Sequence, residues 1–182
     1  MALRTLALAL VMVLTWPAGK AAASLADAVR FWQEGYVLHV MGRYEEAAER
    51  FRASIAEEPT AEAHTFLGWS LSHLGSLEEA IEECERAIAL DPDFGNPYND
   101  IGVYLIALER ADEAIPWFEK AIAAERYCCY QFPHFNKGRV LLMQGEIEAA
   151  RGAFRRALGH DPNYAPARAG LRYIEEEHGR PL

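Results

Sequence analysis

Cysteine is almost absent from this chain: 182 residues contain three, Cys84, Cys128 and Cys129, and the last two are adjacent. That excludes the disulfide framework of a small secreted domain. A membrane-spanning run is missing as well, because the longest uncharged apolar stretch, residues 5–16, has twelve residues where a spanning helix needs about 20. The six histidines, at 39, 64, 73, 134, 160 and 178, form no HExxH pair. Neither a phosphate-binding loop nor a GxSxG elbow occurs, so the common hydrolase and nucleotide-binding classes are excluded, and no catalytic residue, cofactor or metal site is expected. Cations are the scarcer charge, 18 Lys and Arg against 27 Asp and Glu for a net charge of −9. An acidic chain repels nucleic acid, so none is expected among its partners.

The start of the chain differs from the rest. Arg4 precedes the apolar stretch, and Pro17, Gly19 and the small residues Ala21, Ala22, Ala23 and Ser24 follow it. This is the layout of a secretory signal peptide, with residues 1–23 removed after Ala23 and residues 24–27 as a short lead-in. Lys20 after the run is also compatible with an uncleaved anchor, which would be the chain's one membrane contact. Removal of Arg4 and Lys20 leaves 16 cations against 27 acids, a net charge of −11. Export is therefore expected, to the bacterial periplasm before a membrane-anchored or secreted location.

What the sequence does have is an internal period. Gly35, Gly68, Gly102 and Gly138 are separated by 33, 34 and 36 residues. Twelve residues after each comes an alanine, Ala47, Ala80, Ala114 and Ala150. Four further on stands Phe51, Cys84, Phe118 or Phe154, and three beyond that a small residue, Ser54, Ala87, Ala121 or Ala157. Pro59, Pro92 and Pro162 close three of the units, while Arg126 holds that place in the other. The pattern predicts antiparallel helix pairs. A glycine in the first helix admits close approach, an alanine in the second serves the same contact, and a large side chain one turn on fills the space behind. Gly42, Gly75 and Gly145 stand where a helix ends in a left-handed conformation, with Glu109-Arg110 at that place in the third unit. Asp91-Pro92-Asp93 and Asp161-Pro162-Asn163 are expected to break one helix and cap the next.

These residues resemble the tetratricopeptide repeat, matched about four times over residues 28–164: units 28–60, 61–94, 95–130 with a short insertion, and 131–164, followed by a capping helix and tail over 165–182. The resemblance implies an all-α, right-handed superhelical solenoid, a non-catalytic scaffold whose first helices line a concave groove for a protein or peptide partner. Carried over residue by residue, the lining is Trp32, Tyr36 and His39, then Thr65, Trp69 and His73, then Asn96, Asn99, Val103 and Ile106, then Phe132, Phe135, Arg139 and Met143. Aromatic and Arg anchors dominate protein interfaces, which predicts an apolar or amphipathic bound segment. The same aromatics could instead pack in the core. Asn99 is read as a mid-groove amide for a peptide backbone, or as linked to Asp100. No lysine occupies a lining position, so the carboxylate clamp of some family members is not expected.

The insertion, with Cys128, Cys129 and His134, admits three readings: buried small hydrophobes, a disulfide between the two or with Cys84, and a metal or redox site with His134. Cys84 takes the phenylalanine position and reads as a smaller core residue. Beside the leading expectation of an exported assembly factor for an envelope complex stand a redox- or metal-responsive binder working through Cys128-Cys129, and a homo-oligomer stacked end to end.

Overall fold

A computed structural model describes residues 18–179, with side chains from Ser24 onward. The leader, residues 1–23, therefore lies largely outside the described residues. The described chain is helical: α1 (Ala18–Val40), α2 (Tyr44–Glu57), α3 (Ala61–His73), α4 (Leu77–Leu90), α5 (Gly95–Ala107), a 3-10 turn (Ala111–Glu113), α6 (Ile115–Ala123), α7 (Gln131–Met143), α8 (Ile147–His160) and α9 (Ala165–His178). Among the described residues no strand forms, and Phe94 and Arg126 make one isolated parallel bridge. The all-α solenoid expected from the repeat is the fold observed.

Every helix packs on the next along the chain. The odd-numbered helices also pack on one another, α1 on α3, α3 on α5, α5 on α7 and α7 on α9, and the even-numbered ones have no comparable contacts. Two layers of unequal spacing must bend, so the closer-packed odd helices form the inner, concave face.

The repeating contact is a ring seated on a glycine. A Cβ built on Gly102 would lie 2.5 Å from Phe118 Cε1, one on Gly35 2.9 Å from Phe51 Cε1, and one on Gly138 2.6 Å from Phe154 Cε1. The phenylalanine thus fills the space over the glycine itself rather than behind the alanine. Phe51, Phe118 and Phe154 are fully buried, each removal from water contributing about 2–3 kcal/mol. In the second pair the smaller Cys84 takes the place of the ring, and a Cβ on Gly68 would meet Ala80 O at 3.1 Å and Cys84 Sγ at 3.3 Å. Helix α9 closes the stack with Ala167 and Ile174 buried and Gly170 against the other edge of the Phe154 ring.

The turns hold one correction. Gly42, Gly75 and Gly145 take φ of 76°, 83° and 77°, and Glu109 adopts 61° at the same place in the third pair. Asp91 and Asp161 do not cap the helices that follow, however. Asp91 Oδ1 accepts from Asp93 N at 3.0 Å and Asp161 Oδ1 from Asn163 N at 2.9 Å, closing Asx turns. Phe94 and Tyr164 hold the N-cap positions of α5 and α9, and neither makes a side-chain cap.

The third pair is irregular because Pro116 lies at the start of α6. It has no N–H to donate one turn back, so the preceding turn winds as 3-10. Where the other units carry proline, Arg126 straps the insertion to the loop between α4 and α5. Arg126 N donates to Asp93 O at 2.9 Å and Gly95 N to Arg126 O at 3.1 Å. The guanidinium reaches Glu62 at 2.7 Å and Asp91 at 2.5 Å and stacks on Phe94. Beside it Tyr127 is buried over Gly95, where a Cβ would come within 2.6 Å of the tyrosine Cβ.

Candidate peptide groove

The inner helices bring most of the residues read from the sequence onto one surface. At its α1–α3 end Trp32 stacks on Tyr36 with centroids 5.6 Å apart. Phe66 stands edge-on to both, at 5.2 and 5.5 Å, and to Trp69 at 4.5 Å. Tyr36 is 43% exposed, whereas Trp32 and Trp69 are half-buried, so these aromatics both pack and present a face. Next to them His39 shares a hydrogen bond of 3.0 Å with Ser70 Oγ, and the exposed His73 stacks on Tyr44 at 4.2 Å. Burial, and then the neighbouring His73, lower the His39 pKa below the usual imidazole range.

Thr65 does not line the groove. It is 1% exposed and its hydroxyl donates to Ala61 O at 2.7 Å, which satisfies it inside its own helix. Asn99, 9% exposed, lies in the floor. It accepts from Asn136 Nδ2 at 3.1 Å and donates to Asp100 Oδ1 at 3.4 Å, so its link to Asp100 is the reading observed. Asp100 in turn accepts from the Trp69 indole N–H. Burial pushes the Asp100 carboxyl up to about 7, against the pull of the bonds from Trp69 and Asn99. Asn96, Val103 and Ile106 are half-buried along α5.

At the α7 end Phe132 is 38% exposed and meets the Tyr164 ring edge at 5.6 Å. Phe135 packs on Phe154 at 5.7 Å. The Arg139 guanidinium lies 5.9 Å from the Phe135 centroid and donates to Asn136 Oδ1 at 3.4 Å. Met143 is exposed.

Sequence reading missed Phe66, Asp100 and Asn136. Each stands two residues before a marker glycine, Gly68, Gly102 or Gly138, and each reaches back to the preceding inner helix. A position shared by three repeats was the available signal.

The insertion departs from expectation. Cys128 is exposed and Cys129 partly buried, both are free, and Cys84 is sealed in the core, so neither buried hydrophobes nor a disulfide describes the pair. The Cys129 thiol is pushed up to about 11 by burial and its contact with Cys128, the reverse of an activated thiol. His134 stacks on His160 at 5.2 Å, with its pKa pushed down to about 4 by burial and then by His160. Among the described residues no group of three or more His, Cys, Asp or Glu is placed to hold a metal ion, and no helix is long and apolar enough to cross a membrane.

Models of the tetratricopeptide repeat match residues 33–93 and 134–172, and a second such model matches residues 96–128. The chain belongs to the tetratricopeptide repeat family. Tetratricopeptide repeat proteins bind protein or peptide partners and are generally non-catalytic scaffolds. One relative, the TPR repeat-containing thioredoxin TTL4 of Arabidopsis thaliana, is 30% identical over 98 residues, 53% of this chain and 14% of the relative. The match thus spans a small part of that protein's length. Among solved structures, PilF of Pseudomonas aeruginosa superposes with a TM-score of 0.79 at 21% identity, covering 86% of this chain and 71% of that one. PilW, a type IV pilus biogenesis factor, superposes with a TM-score of 0.76 at 23% identity, covering 84% and 70%. At these identities the two structures establish the shared fold.

Proposed function

We propose that this tetratricopeptide repeat chain holds an apolar or amphipathic segment of another protein against its inner helices, as an assembly factor for a complex of the cell envelope. The observation that carries the reading is the contrast between the chain and its groove. The chain is acidic, with a net charge of −9, while helices α1, α3, α5 and α7 offer Tyr36, Trp69, Phe132 and Met143, and each described carboxylate on those helices has a partner. Such a surface attracts aromatic and aliphatic side chains. The signal-like residues 1–23 and the likeness to PilW support an exported site of action.

A photo-crosslinking amino acid placed at Tyr36 or Phe132, and at Glu82 on outer helix α4 as control, tests this in the native cell. Adducts with one protein from the two groove positions and none from Glu82 are expected. Equal adducts from all three would sink the groove. Recovery of a chain that starts at Ser24 from the envelope fraction is expected on the same reading, and an intact Met1 in the cytosol would refute export.

A further inference from the structure

Resting on that groove reading, we propose that the bound segment presents an acidic side chain to Arg139, beside an apolar residue seated between α7 and α9. Charge is unevenly matched on the four inner helices α1, α3, α5 and α7. Among described side chains, α1, α3, α5 and α7 carry four carboxylates, Asp27, Glu34, Glu62 and Asp100, and all four are engaged. Arg30 pairs with Asp27 at 2.9 Å and Glu34 at 3.1 Å. Arg126 holds Glu62, and Trp69 and Asn99 hold Asp100. Of the inner cations, Arg30 is used in this way and Lys137 pairs with Glu119 at 2.5 Å. Among the described side chains of α1, α3, α5 and α7, Arg139 alone is left without a counter-charge.

Its position is fixed from behind. Trp69, Asp100, Asn99 and Asn136 form one hydrogen-bonded chain across α3, α5 and α7, ending on the Asn136 Oδ1 that accepts from Arg139 Nη1. A guanidinium has five N–H donors, and this bond takes one. Arg139 also lines a cleft of about 390 Å³ together with Leu142, Met143 and Tyr173. The cleft has room for an aliphatic side chain as well as a carboxylate. A half-buried guanidinium beside apolar walls strengthens a bidentate carboxylate bond, because water competes less there. Tyr173 belongs to α9 and continues the surface past Arg139, so a bound chain can run on beyond this point. The carboxylate is therefore assigned to an internal Asp or Glu side chain and not to a chain terminus.

The other end of the groove sets the length of the segment. From α1 to α7 there are three inner-helix spacings of about 8–10 Å each, roughly 25–30 Å. An extended chain at about 3.3 Å per residue covers that with eight or nine residues. The acidic residue should accordingly lie about eight positions from the side chain that packs on Trp32 and Tyr36.

The test uses the purified full chain and a phage library of random 12-residue peptides fused ahead of the coat protein, so that no peptide terminus carries a free carboxylate. A second library displays free C-termini. Selected peptides are expected to carry Asp or Glu next to an aliphatic residue and an aromatic or aliphatic residue about eight positions away. Synthetic copies are then titrated by fluorescence anisotropy. Arg139→Met, which keeps a stem to pack on Phe135, should weaken the acidic peptide about tenfold or more, while leaving its Glu→Gln or Asp→Asn version within about twofold. Arg139→Lys should recover part of the loss. An unchanged melting curve shows that the variants fold. Selected peptides that are apolar but lack acids, or equal weakening of the acidic and amide peptides by Arg139→Met, overturn the carboxylate assignment and leave the groove standing. Acids enriched only as free C-termini overturn the side-chain assignment. Enrichment of no peptide in either library overturns the groove itself.

Discussion

Replacing Gly102 by alanine sets two known effects against each other at one atom. Alanine is favoured over glycine inside a helix by about 1 kcal/mol. The new Cβ, however, would lie 2.5, 2.7 and 2.9 Å from three atoms of the Phe118 ring, where carbon atoms rest at about 3.5–4.0 Å. Phe118 is 0% exposed and has no solvent side into which to swing. Forcing a methyl into such a core costs about 1–3 kcal/mol. With three ring atoms overlapped the upper end applies, for a net loss of about 2 kcal/mol. Gly152 on α8 is the control, since its nearest neighbour would be the flexible Arg156 Nη1 at 3.6 Å. There alanine should gain about 0.5–1 kcal/mol. Equilibrium urea unfolding reads both; with a slope of about 2 kcal/mol per molar, Gly102→Ala should lower the midpoint by about 1 M and Gly152→Ala should raise it slightly. Adding Phe118→Leu to Gly102→Ala should cost less than the two singles summed, because the overlap is then already relieved. A Gly102→Ala protein as stable as the parent would refute the ring-on-glycine contact as the reason for glycine at this place.

Three further outcomes follow from the packing. Asp100 has a folded-state pKa near 7, raised above its unfolded value of about 3.9, so between those values the folded chain holds a proton that the unfolded chain has released. Stability should therefore fall as pH rises from about 4 to 7, by at most about 4 kcal/mol; Asp100→Asn should flatten that part of the profile, and a variant profile parallel to the parent's would remove Asp100 as the cause. Glu109, with φ of 61°, occupies a left-handed conformation that costs an L-residue about 1–2 kcal/mol; Glu109→Gly should raise stability by about 1 kcal/mol, and an unchanged melting temperature counts against strain there. Iodoacetamide should label the exposed Cys128 in the native protein and spare the buried Cys84 until denaturant is added, whereas equal labelling in the native state would contradict the core position of Cys84.

The repeat was legible because its determinants are steric and local. A glycine, an alanine twelve residues later and a ring four beyond that are fixed by how closely two helices must approach, and the period makes each copy a check on the others. Cys84 could be read as a core residue on that ground alone. The turns were legible only in part. Pro59, Pro92 and Pro162 do stand just past the ends of α2, α4 and α8, but the bond an aspartate makes depends on the conformation of the two residues after it, and Asp91 and Asp161 turn inward to their own loops. Cys128 and Cys129 were less legible still, since an insertion has no second copy to compare and its fold is set by the partners that Arg126 finds at Glu62 and Asp91, far off in sequence.

The groove shows where periodic reading stops and why. Lining positions carried over by register are correct as addresses on a helix, but exposure at an address is decided by the neighbouring repeat, whose side chains differ at every copy. Thr65 is short, so the surface closes over it, while Trp32, one repeat earlier at the same address, is long enough to remain at the surface. The residues two before each marker glycine make the complementary case. Phe66, Asp100 and Asn136 share an address and all reach back to the preceding helix, yet one joins an aromatic cluster and two join a hydrogen-bonded chain. Shape is thus written once per repeat, and chemistry is written between repeats. A groove that is apolar at α1 and α3, polar beneath α5 and cationic at α7 follows from pairs of unlike neighbours, and the partner it selects should be read in the same way, pair by pair along the inner helices.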